Sequence, residues 1–267
     1  MGNYGTSRGA AALARSCKCS KRWGVDSIEL LGVRVDDVTY DDLLSYVDRF
    51  VASGQPHQIV TLNPEMLVAA HRNPAFRELL NQCDLNVADG VGLTLAARWL
   101  GCPLQGRVTG SDGIYVLAAH CARRGYRPFL LGAAPGVAKA AAQRLTSENP
   151  GLDIAGTYAG SPHPDDEEDV LVRVRATAPD LLLVAYGVPA EEAWIAHHRT
   201  RLGVPVMLGV GGAFDFVAGV ARRAPPWMRR AGLEWLYRLV RQPWRWRRQL
   251  ALPRFLCLII KQRLGGA

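Results

Sequence analysis

The chain has 267 residues, 49% of them hydrophobic and 21% charged, with a formal net charge of +8. This length and composition predict a soluble globular protein with a sizeable core. No stretch reaches the roughly 18 to 20 apolar residues of a membrane-spanning helix, and no apolar N-terminal segment indicates a secretory signal. The six cysteines form no CxxC pair and no Cys/His quartet, which predicts reduced thiols in a cytoplasmic protein and no metal site.

Residues 1–24 are small, polar and basic without periodicity, which predicts a disordered leader. Beyond them, short apolar runs alternate with segments of helical periodicity. The predicted strands are 28–35 (strand or hairpin), 57–62, 85–88, 128–132, 153–158, 180–186 and 205–210. The predicted helices are 39–51, 65–72, 74–82, 93–100, 114–124, 137–147, 163–177 and 190–198. This alternation predicts a Rossmann-like α/β core over residues 25–221, with a mostly parallel sheet flanked by helices.

The basic charge is concentrated in the tail. Residues 222–267 contain twelve Lys or Arg, four of the seven tryptophans and a single acid, Glu234. They predict a basic, amphipathic helical appendage, with a helix over 227–241 and interruptions at Pro243 and Pro253. Three interpretations fit this composition. It suits an anionic membrane surface, where indoles lie at the headgroups, it suits nucleic acid, and it suits a basic helix packed on the core.

Small and polar residues follow five of the predicted strands. In open parallel sheets, ligands bind beyond the carboxyl ends of the strands. These ends therefore predict one binding crevice, because they meet at the same edge of the sheet. The residues at the strand ends are Thr61, Asn63, Asp89, Gly90, Gly132, Gly187, Gly211 and Asp215.

Residues 87–92 (VADGVG) predict a strand, a tight turn and the start of a helix. Asp89 lies at the mouth of this turn, where a carboxylate can take a proton from a substrate. The alternative is that Asp89 is the N-cap of the helix that follows. The convergence of strand ends favours a functional role. A second polar, glycine-rich loop follows at 106–113 and carries one arginine, Arg107.

Several longer motifs resemble the WecG/TagA/CpsF glycosyltransferase family. They occur in the family's order, and the resemblance covers residues 28 to about 250. The motifs are TLNPE at 61–65, ADGVG at 88–92, RVTGSD at 107–112, GVP at 187–189, GVGGAFDFVAG at 209–219, RAPPWM at 223–228 and GLEWLYRL at 232–239.

The resemblance implies an inverting, metal-independent transferase without a cofactor. Its donor would be a UDP-sugar and its acceptor an undecaprenyl-diphosphate-linked saccharide of cell-surface polysaccharide synthesis. Well-known members transfer N-acetylmannosamine or its uronic acid, and others transfer glucose or galactose in exopolysaccharide assembly. The resemblance also implies a peripheral protein on the inner face of the cytoplasmic membrane, and self-association linked to membrane contact.

Site residues are implied position by position. Asp89 matches the general base, Thr61 a threonine of the same pocket with Asn63 beside it, and Arg107 an arginine that would neutralise the leaving UDP. Tail arginines would close over a diphosphate, and glycines and polar residues of the motifs would contact substrate. The tail arginines are Arg238, Arg245 and Arg248, and the other substrate-binding candidates are Gly90, Gly92, Gly110, Asp112, Gly132, Gly187, Glu191, Gly212, Phe214 and Asp215.

One position departs from the family's pattern. The family reads Gly-x-Pro-x-Gln-Glu where this chain has Glu191, so a carboxylate replaces an amide. Glutamine donates and accepts hydrogen bonds, whereas an ionised glutamate only accepts. We therefore expect this chain to prefer a sugar bound through its hydroxyls and to disfavour a uronic acid.

Two other function classes fit parts of the pattern. A Rossmann-type oxidoreductase needs a G-x-G-x-x-G turn after a strand, but the third glycine is missing after Gly90 and Gly92. A nucleic-acid-binding protein would use the basic tail. The motifs favour the transferase, so we expect an anionic membrane surface and no nucleic acid among the partners.

Overall fold

The computed structural model describes residues 19–22, 24–243 and 246–265. Their strands are β1 (Cys19–Arg22), β2 (Val25–Leu30), β3 (Val33–Asp36), β4 (His57–Leu62), β5 (Leu85–Ala88), β6 (Pro128–Gly132), β7 (Gly156–Tyr158), β8 (Leu181–Ala185) and β9 (Val206–Gly209). They form one sheet in the order β1-β2-β3-β5-β4-β9-β8-β6-β7. The strands β1, β2 and β3 pair antiparallel and the other neighbours pair parallel. The predicted mostly parallel α/β fold is confirmed.

The helices of the core are α1 (Tyr40–Ser53), α2 (Pro64–Arg72), α3 (Pro74–Gln82), α4 (Val91–Trp99), α5 (Gly110–Arg124), α6 (Val137–Glu148), α7 (Glu167–Thr177), α8 (Ala190–Leu202) and α9 (Ala213–Val217). A short 3-10 helix, Pro164–Asp166, precedes α7. The tail forms α10 (Pro226–Arg230), α11 (Glu234–Arg241), α12 (Trp246–Gln249) and α13 (Ala251–Arg263).

Helices cover both faces of the sheet. Every residue of β5, β6, β8 and β9 is buried, as expected for parallel strands between two helical layers. Successive residues of β4 point to opposite faces: Ile59 packs with α1 and α5, whereas Val60 and Leu62 pack with α2 and α4. A third cluster places α7 and α8 over β8.

The register of β4 and β5 positions the candidate site. Leu62 pairs with Ala88 at the carboxyl ends of the two strands, so Asn63 and Asp89 leave the sheet side by side. Asn63 then caps α2, with its Oδ1 accepting from the Met66 N–H at 3.1 Å, and Pro64 occupies the favourable first helical position.

Two sequence expectations at the sheet edges were wrong. Residues 19–22, assigned to the leader, form β1, which pairs with β2. Residues 153–155 lie outside β7, which begins at Gly156. Residues 1–18 and 23 of the predicted leader lie outside the described residues.

The tail differs from its predicted single helix. Gly232 separates α10 from α11 with φ +72°, and a Cβ there would lie 2.4 Å from Val91 Cγ1 on α4. Only glycine permits both the backbone conformation and this close approach. Pro253, expected to interrupt the tail, lies in the first turn of α13, where a missing N–H costs no helical hydrogen bond.

The last helix is fixed to the core. It packs along α2, with Phe255 and Ile259 buried in the apolar cluster of that face. Gln262 accepts from the Leu31 N–H at 3.0 Å and donates to the Glu29 carbonyl at 3.1 Å. The boundary near residue 221 stays a prediction, but the tail is anchored at its far end. Across the described part of the chain, every helix is too short or too polar to cross a membrane.

Candidate functional site

A cavity of about 640 Å³ opens beyond the carboxyl ends of β5, β4, β9 and β8, with α11 and α12 at its rim. Most of the predicted site residues meet there. Those that line the cavity are Thr61, Asn63, Asp89, Gly90, Gly92, Arg107, Gly110, Asp112, Gly187, Glu191, Gly212, Asp215, Arg238 and Arg248.

Three predicted residues do not line it. Phe214 is fully buried in the core, because α9 turns it inward. Gly132 serves close packing instead, since a Cβ there would lie 2.8 Å from the Ala185 carbonyl oxygen; its neighbours Ala133 and Ala134 reach the cavity. Arg245 lies outside the described residues.

Asp89 does not cap α4, the helix that follows it in the chain. The N-cap of α4 is Gly90, and no side chain caps that helix, so the structural alternative for Asp89 is wrong. Its backbone N–H donates to the Leu62 carbonyl at 2.6 Å, and its Oδ2 accepts from the Gly110 N–H at 3.3 Å. The carboxylate is partly buried on the cavity wall and remains available to a ligand.

The environment of Asp89 favours a proton acceptor at neutral pH. Burial raises the pKa of its carboxyl to about 7, against the opposing effects of the Gly110 N–H and Arg107. The carboxylates of Glu234 and Asp112 also raise this pKa. A general base works best when its pKa lies near the working pH, so these residues give Asp89 the properties of one.

Thr61, Gly110 and Arg107 surround the same space. A Cβ at Gly110 would lie 3.4 Å from Thr61 Oγ1 and 3.9 Å from Asp89 Oδ2, so the missing side chain leaves room between the two polar groups. Arg107 lines the cavity, and it has no hydrogen bond or ion pair to another residue in the described ranges. Its guanidinium is therefore available for an anionic ligand.

Glu191 ties two strand ends together. Its Oε2 accepts from the N–H of Gly187 at 2.8 Å and of Gly211 at 3.1 Å, which follow β8 and β9. Burial raises the pKa of the Glu191 carboxyl, and the two N–H groups oppose this shift. Burial also raises the pKa of the adjacent Glu192 carboxyl, and the charge of Glu191 raises it further. Oε2 of Glu191 is thus already engaged, so the predicted contact with a sugar would have to involve Oε1.

The tail provides cations at the rim. Arg238 stacks over the Phe216 ring at 4.7 Å, and a Cβ at Gly212 would lie 3.3 Å from its Nη2. Arg248 is held by a bidentate ion pair, with its Nε and Nη2 donating to Glu65 at 2.9 and 2.8 Å.

Sequence reasoning overlooked the acidic partners of the tail. Glu65 lies in the first turn of α2, where the helix dipole already favours an acid, so its position in the sequence does not indicate a partner in the tail. Asp112, expected to bind substrate, is engaged by Arg223 and Arg229. Glu234 at the start of α11 is the second partner of Arg223. The described residues contain no group of three or more His, Cys, Asp or Glu side chains placed to hold a metal ion.

A family model and individual known proteins both show this chain to be similar to glycosyltransferases. The model of the glycosyl transferase WecG/TagA/CpsF family matches residues 28–267. An N-acetylglucosaminyldiphosphoundecaprenol N-acetyl-beta-D-mannosaminyltransferase from Bacillus spizizenii is 35% identical over 209 residues, 78% of this chain and 80% of that protein. Proteins of the same name from Bacillus subtilis and Staphylococcus aureus MW2 are 33% and 32% identical, over 81% and 91% of this chain and 82% and 96% of their own lengths.

Proposed function

Because the chain belongs to the WecG/TagA/CpsF glycosyl transferase family and is a glycosyltransferase, we propose that it moves a sugar from a UDP-sugar to an undecaprenyl-diphosphate-linked saccharide. The sugar is a hexose or an N-acetylhexosamine of the N-acetylmannosamine type, and the product belongs to cell-surface polysaccharide synthesis. Support for the acceptor comes from the names of the relatives, which specify N-acetylglucosaminyldiphosphoundecaprenol.

The observation that carries the proposal is the position of Asp89. Its carboxyl has a pKa raised to about 7 and lies in a cavity that also contains Thr61, Arg107 and the tail arginine Arg238. A base at the strand ends with cations around it is suited to a reaction that removes a proton and releases an anion.

The proposed reaction is a single displacement. An acceptor hydroxyl passes its proton to Asp89 while its oxygen attacks C1 of the donor sugar. The new O–C1 bond forms as the bond from C1 to the diphosphate oxygen breaks, and UDP leaves with that electron pair. Attack opposite the leaving group inverts the anomeric centre. Arg107 and Arg238 stabilise the negative charge that grows on UDP, in place of a metal ion.

An apolar and basic face supports contact with an anionic membrane. Trp99 and Leu95 of α4 are exposed, as are Leu256 and Ile260 of α13, and the Arg263 guanidinium lies 4.4 Å from the Trp99 ring. Residues 246–265 contain no acid. Because α13 is fixed to the core, this face would hold the cavity at a constant distance from the lipid. Self-association stays a prediction.

The experiment is a donor panel. The protein would be incubated with individual UDP-sugars, a short-chain lipid-diphosphate-linked N-acetylglucosamine acceptor and EDTA, and UDP release and glycolipid product would be measured. We expect acceptor-dependent release with UDP-N-acetylmannosamine or with UDP-glucose or UDP-galactose. The proposal fails if no UDP-sugar gives product with this or a longer lipid-linked acceptor, and the metal-independent mechanism fails if activity appears only without EDTA.

A further inference from the structure

Arg223 connects the tail to the loop beside Asp89. Its Nη1 donates to Asp112 Oδ1, and its Nη2 donates to Ser111 Oγ at 3.2 Å. On the other side, Nε and Nη2 donate to the two carboxylate oxygens of Glu234, both at 3.2 Å. The Arg223 side chain is 16% exposed and that of Asp112 is 38% exposed, so the guanidinium is largely withdrawn from solvent and is bound by three residues.

The two groups of partners lie next to functional elements. Ser111 and Asp112 follow Gly110 in the first turn of α5, and the Gly110 N–H is the donor to Asp89. Glu234 opens α11, four residues before Arg238, so both lie on one face of that helix.

Phe216 links the two arginines. The guanidinium groups of Arg223 and Arg238 lie 5.6 and 4.7 Å from the centre of its ring. The planar guanidinium of Arg223 therefore bonds both to the first turn of α5, next to Asp89, and to the start of α11, which carries Arg238. A lysine ammonium cannot make this set of bonds.

We propose that Arg223 is a positioning residue, which fixes Gly110 against Asp89 and holds Arg238 over the cavity. The inference rests on the proposed function, since it assigns Asp89 and Arg238 to sugar transfer. Arg223 itself touches neither reacting group. It acts through the first turn of α5, at Gly110 to Asp112, and through α11.

The same geometry has an electrostatic consequence. The charged and titratable groups that act on Asp89 are Arg107, Arg238, Glu234, Asp112 and Tyr40. The two carboxylates raise the pKa of Asp89, and Arg223 is their shared partner. Without the Arg223 charge, Glu234 loses this partner and Asp112 keeps Arg229, so the two carboxylates act more strongly on Asp89 and the pKa of the base rises. Without the Glu234 charge, the pKa of the base falls.

The test compares Arg223→Gln with Arg222→Gln. Arg222 is exposed, and no ion pair or hydrogen bond connects its side chain to the described residues, so it is a matched control. We expect Arg223→Gln to lower kcat about 10-fold to 100-fold, as misplaced catalytic groups do, and to move the acid limb of kcat/KM to higher pH. Arg222→Gln should match the wild-type protein in both.

Glu234→Gln provides the second variant. It keeps the size of the side chain, and it should move the acid limb to lower pH, opposite to Arg223→Gln. A purely structural anchor would lower activity only in proportion to the folded fraction, measured by thermal denaturation, and would leave both pH profiles unchanged. That result would overturn the inference. If Arg223→Gln does not fold, an unchanged pH profile of Glu234→Gln is sufficient to overturn it. An inactive wild-type protein would instead contradict the proposed function.

Discussion

Asp89 owes its properties to a balance between burial, a single backbone N–H and nearby charges. Burial favours the protonated acid, and the Gly110 N–H and Arg107 favour the carboxylate. The result is a pKa of about 7, well above the ordinary aspartate value of 3.8. The carboxyl therefore changes charge within the physiological range, which few aspartates do.

A pH profile tests this environment. Because only the ionised carboxylate can accept the proton, kcat/KM should rise with pH and level off above a pKa of about 7. Well below that value we expect a loss of about tenfold per pH unit. Initial rates from pH 5 to 9 would measure it, with folding checked by circular dichroism at each pH. Activity that stays constant down to pH 5 would show that this carboxyl is not the base.

Glu191 is a residue whose hydrogen-bond acceptor should contribute to stability. Glutamine keeps an oxygen for the Gly187 and Gly211 N–H groups, whereas alanine leaves both without this partner. We expect Glu191→Gln to be at least as stable as the wild-type protein and Glu191→Ala to lose about 1–3 kcal/mol in urea unfolding, the usual net contribution of two hydrogen bonds.

Glu192 supplies the control for this comparison. It is equally buried, but its Oε2 has no hydrogen-bond partner. Glu192→Gln should therefore not reproduce the loss expected of Glu191→Ala. Equal stability of Glu191→Gln and Glu191→Ala would show that the hydrogen bonds from Gly187 and Gly211 to residue 191 do not stabilise the fold. Donor preference in Glu191→Gln should shift toward acetamido sugars, as the family's glutamine suggests.

Among the elements, α13 has one buried and one exposed face, and the proposed function assigns membrane contact to the exposed one. Phe255 and Ile259 pack on α2, while Leu256 and Ile260, one position further along, are exposed. The inner row fixes the helix to the core, and the outer row continues the exposed face of α4.

Two neighbouring substitutions separate these functions. Phe255→Ala should cost about 3 kcal/mol of unfolding free energy, as large-to-small core changes do, and leave vesicle binding intact at temperatures where it is folded. Leu256→Ala should leave stability unchanged and weaken sedimentation with anionic vesicles about tenfold. The membrane assignment is contradicted if Leu256→Ala binds vesicles normally, or if the protein prefers an oligonucleotide with a steep salt dependence.

For the whole molecule, the sequence predicted the parts that depend on local pattern. Apolar runs of four to six residues located the parallel strands, and the small residues after them located the cavity, because parallel strands end at one edge. The positions of Asp89 and Thr61 at the cavity were predicted from the strand ends together with the family motifs.

Long-range and packing-dependent features were not predictable in this way. Arg223 meets Asp112 across 111 residues, and Arg248 meets Glu65 across 183, and no local pattern specifies such pairs. Phe214 sits in a glycine-rich motif, yet the short helix α9 turns it into the core. The break at Gly232 depends on how closely the tail crosses Val91 of α4, which is a property of the fold.

Asp89 also links stability to function. Its pKa is raised on folding, so the folded protein holds the proton more tightly than the unfolded chain, and stability falls as pH rises from about 4 to about 7. An asparagine carries no charge to bury. Asp89→Asn should therefore be more stable than the wild-type protein at pH 8, by roughly 2 kcal/mol for this partly buried group, and nearly equal to it near pH 4.

The decisive measurement is turnover by Asp89→Asn at pH 8 with the best UDP-sugar and the lipid-linked acceptor, beside UDP binding by calorimetry. Asp153→Asn serves as control, since Asp153 is 68% exposed and, among the described residues, pairs only with Arg127. We predict that Asp89→Asn loses about 100-fold to 10,000-fold in kcat, the usual contribution of a general base. Its UDP affinity and folding should be retained. Turnover of Asp89→Asn at the wild-type rate would contradict the account.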